Sequence, residues 1–168
     1  PMLNPDGVIN GNYRTSLIGK DLNRLWEDPR ENICPTIYYT KEMIRKTLLS
    51  RDIFIYCDFH GHSNKPNFFL YGCPSNKKVK INSCLNFQEM ILSKIYTGKN
   101  DIFDNKSCIY KIAPKKMKTA RAVVKNEFSI DLSYCLESSI GHITIGERKN
   151  DFFTPKIYEK IGTDFSVS

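Results

Sequence analysis

The sequence contains no Cys-x-x-Cys pair and no His-x-x-His, His-x-x-Glu or His-Glu-x-x-His spacing, and it has only three histidines. The first absence excludes a zinc ribbon. The second excludes the common short motifs that put two metal ligands on one helical turn. No apolar run approaches the ~20 residues a membrane-spanning helix needs, and none has the form of a secretory signal. There is no internal repeat. No nucleic-acid recognition motif or glycine–aromatic repeat is present.

The 168 residues suffice for one domain with a core of its own, and 1–168 is expected to form one unit. An apolar content of 40%, with ten Phe and nine Tyr, is globular rather than disordered. The formal charge is +7. Much of it lies at Lys77, Lys78 and Lys80, then at Lys111, Lys115, Lys116, Lys118 and Arg121. A solvated basic face has this composition, and so does a surface that attracts an acidic partner. Without a recognition motif, an acidic polypeptide is expected rather than nucleic acid. The six cysteines fall singly, and Cys57 and Cys73 sit in or beside apolar runs, where a thiol behaves as a small core residue. Reduced cysteines and a cytosolic setting are expected.

Residues 1–24 carry turn chemistry, Asn-Pro-Asp-Gly at 4–7 and Asn-Gly-Asn at 10–12, and read as a long ordered loop. Apolar positions at Ile37, Met43, Ile44, Leu48 and Leu49 predict an amphipathic helix over 36–50, with Thr36 or Thr40 as cap. Strands are expected over 53–59, 68–71 and 132–136 and further helices over 85–95, 121–128 and 155–161. The class is α/β, with a mixed, mostly parallel sheet flanked by helices. In such sheets ligands bind beyond the carboxyl ends of strands, and His60 and Glu137 each follow a predicted strand directly.

His60 is the best metal-ligand candidate: it ends a strand, precedes Gly61, and has Asp58 and Ser63 nearby as supporting partners. His62 is more suited to a supporting or substrate-side position, and His142 has no partner in view. One histidine does not make a zinc site, which needs three protein ligands and an open position. Asn23 and Arg24, set among Leu22, Leu25 and Trp26, suit a free C-terminal carboxylate, although an ordinary ion pair near a helix start uses the same residues. In a hydrolase, Arg14 suits a developing oxyanion. Glu137, a charge at the end of an apolar strand, suits a general base whose pKa is raised by burial, or else a cap for the next segment.

The segments PMLNPDGVINGNYR, SLIGKDLNR, PTIYYTK, DFHGHSNKPNFFLYGC, KTARAVV and SYCLESS, in this order over residues 1–139, resemble the cytosolic carboxypeptidases. These are the branch of the zinc metallocarboxypeptidases that shortens glutamate chains on tubulin and other proteins. The resemblance implies a metallocarboxypeptidase-like fold and Zn2+ as cofactor. It implies His60 as the third zinc ligand, Glu137 as general base and Arg14 at the oxyanion. It further implies that Asn23 and Arg24 grip the terminal carboxylate and that Arg121 faces an acidic side chain at the substrate's end. Acidic C-terminal tails, tubulin's among them, are the implied partners, and the cytoplasm, with microtubules or cilia, the implied location.

Two changes depart from the family's pattern: Lys118 stands where glycine is usual before Thr-Ala-Arg, and Ser139-Ile140 replaces a small residue followed by Phe. The family's other two zinc ligands, in an HxxE motif, precede the Asn-Pro-Asp-Gly segment. The sequence is therefore expected to be the C-terminal part of a catalytic domain, N-terminally incomplete. A catalytically inactive protein that holds acidic tails without cutting them is the alternative, and a basic nucleic-acid-binding domain a weaker third.

Overall fold

A computed structural model describes residues 1–75 and 88–167. Lys77, Lys78, Lys80, Cys84 and the first residues of the helix expected over 85–95 lie outside the described residues. The chain divides into two compact units, one of residues 1–54 and 112–130, the other of residues 55–111 and 131–168.

The first unit is helical. Its opening segment is not all loop: Pro5–Ile9 forms a short helix, α1. Pro5 occupies the first turn, where a missing N–H costs nothing, and the Asn4 side chain accepts from the Gly7 N–H at 3.3 Å. Asn4 also donates to the Thr15 carbonyl at 3.2 Å, drawing the loop around Arg14 back onto the turn. A Cβ at Gly7 would meet the Thr15 carbonyl oxygen at 2.6 Å, so only glycine lets the two segments approach this closely.

Helix α2, Pro35–Leu48, matches the periodicity, but its start is set by Pro35 after Cys34 rather than by a threonine cap. Thr36 donates instead to the Leu3 carbonyl, and Thr40 to the carbonyl of Thr36. Ile37 and Ile44 are buried, whereas Met43 and Leu49 are exposed. Between the buried pair lies Lys41, only 2% exposed. Its ammonium donates to the Trp26 carbonyl at 2.8 Å and pairs with Glu127 at 2.7 Å, the compensation a buried charge requires. A later helix of this unit, Ala120–Phe128 (α4), carries Glu127 and buries Ala120, Arg121, Ala122, Val123 and Val124.

The second unit holds the sheet. Its strands are β1, Ile55–His62, β2, Phe68–Tyr71, and β3, Leu132–Ser139, in the order β1-β3-β2. β1 runs parallel to β3 and β2 antiparallel, so the sheet is mixed; these described strands show one ladder of each kind and no parallel majority. Both β1 and β3 run three residues beyond the strands expected from sequence. His60 and Glu137 therefore lie within the strands rather than after them.

Alternation along a strand sends neighbours to opposite faces. Phe68, Leu70, Tyr134 and Leu136 turn to one face and form a core with Leu92 and Tyr96 of α3, Ile91–Lys99, and Ile157 and Ile161 of α5, Pro155–Ser166. Truncating Leu136, which is 1% exposed, to Ala is expected to cost about 2–5 kcal/mol, read from the shift of a urea midpoint. No helix among the described residues is long and apolar enough to cross a membrane.

Candidate functional site

The face of the sheet opposite α3 and α5 carries the polar residues. Parallel register sets Asp58 beside Cys135 and His60 beside Glu137, and the antiparallel register sets Phe69 on the other side of Glu137. A row His60, Glu137, Phe69 thus crosses the three strands, each step about 5 Å. The central glutamate is half-buried, with an aromatic residue on one side and an imidazole on the other.

Within this row the histidine is oriented. Its Nε2 lies 2.9 Å from Asp58 Oδ2. An ionised carboxylate only accepts, so Nε2 carries the proton, and in the neutral ring Nδ1 keeps the lone pair. This is the arrangement in which metal-binding histidines are commonly held, one nitrogen tied to a carboxylate and the other serving as ligand. Asp58, His60 and Cys135 each offer a ligand atom within 4.8 Å of the other two. Cys135 fits a metal poorly. Burial pushes its thiol well above the ordinary range, the Glu137 and Asp58 charges push it further, and its S–H donates to Glu137 Oε1 at 3.4 Å. The donors suit a metal held by His60 Nδ1, oriented by Asp58, with further ligands from elsewhere.

His62 shares this face but does different work. Its Nδ1 accepts from the N–H groups of Asn64 and Lys65, at 3.2 and 3.0 Å, and its ring meets the Phe69 ring edge-on, so it closes the turn after β1. His142 is exposed, in an isolated bridge with Phe152. The described cysteines are free thiols, as expected, and burial pushes Cys57 up to about 12.

The cations predicted from sequence lie in the helical unit. Asn23 and Arg24 sit in a single 3-10 turn, Leu22–Arg24, capped by Asp21. Asp21 Oδ1 accepts from the Asn23 N–H at 2.9 Å. Its other oxygen lies 2.8 Å from Arg14 Nε and 3.7 Å from Arg24 Nη2. One carboxylate thus gathers two of the predicted arginines. Sequence reasoning misses Asp21, although an Asp two residues before Asn23 is a readable cap signal. Cys135, the residue bonded to Glu137, has no signal beyond its apolar surroundings.

Asn23 has a second engagement. Its Oδ1 accepts from the Ala120 N–H at 2.8 Å, capping α4 from 97 positions away, because Thr119 provides no side-chain cap. With the oxygen so used, the amide nitrogen is the end turned to donation. Asn23→Ala is expected to cost about 0.5–2 kcal/mol of stability. Asn23→Asp, which keeps the accepting oxygen, should stay close to the parent; thermal or urea melts of the pair separate the cap from any ligand contact. Arg121, the second residue of α4, is 7% exposed.

The structure therefore brings together His60 with Glu137, and separately Arg14 with Arg24 around Asp21. No family model matches the chain. Its fold is that of the metallocarboxypeptidases: it superposes on the metallo-carboxypeptidase from Burkholderia cenocepacia with a TM-score of 0.77 at 19% identity, covering 97% of this chain and 40% of that one. The metallo-carboxypeptidase from Pseudomonas aeruginosa gives 0.76 at 20% identity, covering 97% and 42%. Within that class, the chain is homologous over nearly its whole length to the cytosolic carboxypeptidases. Identity is 44% with cytosolic carboxypeptidase 2 of Mus musculus, 41% with that of Danio rerio and 39% with cytosolic carboxypeptidase 1 of Xenopus laevis, over 96%, 98% and 99% of this chain. The chain spans only 18%, 22% and 14% of those relatives' lengths.

Proposed function

We propose that the chain is part of a zinc-dependent carboxypeptidase that removes C-terminal glutamate from acidic protein tails, polyglutamylated tubulin among them, in the cytoplasm. The observation that supports this most is the pairing of a carboxylate-oriented histidine with a glutamate on the adjacent strand, in a chain homologous to cytosolic carboxypeptidases. His60 would hold the metal through Nδ1, and Asp58, by holding the Nε2 proton, selects the tautomer that leaves Nδ1 as the ligand nitrogen. When bound, zinc supplies Lewis acidity towards the scissile carbonyl and the attacking water. Glu137 takes a proton from that water and passes it to the leaving amine. Arg14 stabilises the charge that develops on the carbonyl oxygen. Asn23 and Arg24 donate to the substrate's terminal carboxylate, restricting cleavage to chain ends. Arg121 selects an acidic terminal side chain.

The test is amino-acid release from peptides that end in Glu-Glu, in Leu-Leu, and in Glu-Glu blocked as an amide, by the full-length protein carrying this segment. Release from the free Glu-Glu peptide, much less from Leu-Leu and none from the amide is expected. Arg121→Ala should lower the Glu-over-Leu preference; an unchanged preference would place specificity elsewhere.

A further inference from the structure

The turn that precedes α4 holds a cation to which neither the fold nor the proposed chemistry assigns a part. Pro114–Lys116 is a 3-10 turn, closed by the Lys116 N–H on the Ala113 carbonyl at 2.8 Å. The Lys116 carbonyl accepts twice from Thr119, from its hydroxyl at 2.7 Å and its N–H at 3.1 Å. The next residue, Ala120, donates to Asn23. This chain of bonds anchors the backbone of Lys116 to the turn that presents Asn23 and Arg24.

The charges around it are unbalanced. Those acting on the Lys116 ammonium are Arg24, Arg14 and Lys115, against one carboxylate, Asp21. Asp21 is already engaged with both arginines. The neighbouring Lys118 differs: it extends to the exposed Glu27 at 2.7 Å. Burial and then the like charges of Arg24 and Arg14 pull the Lys116 ammonium below its ordinary range, so its charge carries a penalty before any ligand arrives. An anion relieves that penalty. Two arginines and a lysine with one shared carboxylate match a ligand carrying more than one negative charge.

We infer that Lys116 is a specificity-determining residue: with Arg14 and Arg24 it completes a three-cation site for peptide ends that carry an acidic side chain beside the terminal carboxylate. The inference rests on the carboxypeptidase reading, in which Arg24 takes the terminal carboxylate and Arg121 the acidic side chain, and adds Lys116 as a further cation for such doubly charged ends. Lysine suits this part as a point charge on a flexible stem, whereas Arg24 presents a planar fork.

The experiment measures binding, not turnover. Fluorescein-labelled peptides ending in Glu-Glu and in Gln-Gln, both with free carboxyl termini, are titrated by fluorescence anisotropy into the full-length protein and its Lys116→Met and Lys116→Arg variants. The unaltered protein should favour Glu-Glu. Lys116→Met should weaken Glu-Glu about tenfold and Gln-Gln less than about twofold, and Lys116→Arg should restore most of the preference. An equal loss on both peptides would mean that Lys116 supports the fold alone, and no loss, or no preference in the unaltered protein, would overturn the inference outright. Amidated versions of the peptides test the underlying reading separately. Equal affinity for free and amidated ends removes the terminal-carboxylate assignment, while the Glu-to-Gln ratio still reports on Lys116.

Discussion

Glu137→Gln is expected to lower kcat for glutamate release by about 10²–10⁴-fold while leaving the fold intact. The substitution preserves shape and the oxygen that accepts from the Cys135 thiol, so β3 keeps its place between β1 and β2. What is lost is a carboxylate able to take a proton. Since the half-buried side chain sits in the middle of the row His60, Glu137, Phe69, no other described carboxylate occupies that position in the register. Peptide affinity and zinc content should stay near those of the parent, which distinguishes loss of the base from loss of the site. A variant that turns over at a comparable rate would remove Glu137 from the mechanism.

His60→Ala should be more damaging still, because it removes the histidine that Asp58 orients and that is proposed above as the metal ligand. Zinc affinity should fall by more than about 100-fold, beyond the ~10–100-fold expected for Asp58→Asn, which removes only the orienting group. The graded order of the two variants is the informative result. Metal analysis of dialysed protein reads it without reference to catalysis. If Asp58→Asn and His60→Ala behaved alike, Asp58 would itself be a ligand. If Cys135→Ser cost as much as either, the cluster of Asp58, His60 and Cys135 would be the metal site in its own right.

The elements legible in the sequence are those whose signal is local. β2 needs only the run Phe68–Tyr71, and α2 only its apolar spacing and Pro35. β1 and β3 are legible but cut short, because their last residues are strand only through each other. The register carries on through His60 with Glu137, Gly61 with Ser138 and His62 with Ser139, past the end of the apolar runs. α5 continues to Ser166 for a similar reason. Asp164, near its end, is held by Asn100 from 64 positions away, and the Phe165 ring meets those of Tyr96 and Phe59.

At the candidate site the residue types are legible and their alliances are not. His60 with Asp58 lies within one strand and is anticipated. Asn23 reaching Ala120, and Asp21 dividing its oxygens between Arg14 and the Leu22–Arg24 turn, depend on how loops fold back, which no short window contains. Lys41 is the plainest case: its charge suggests the surface although its spacing from Ile37 and Ile44 puts it on the buried face, and the carbonyls of Trp26 and Glu27 and the carboxylate of Glu127 make its burial tolerable.

The most direct test of the central claim is glutamate release from a free Glu-Glu-ended peptide, followed on one sample before metal removal, after it, and after one equivalent of zinc is restored. Release should fall to background with the metal gone and return with zinc. Release that continues undiminished in fully metal-free protein would contradict it.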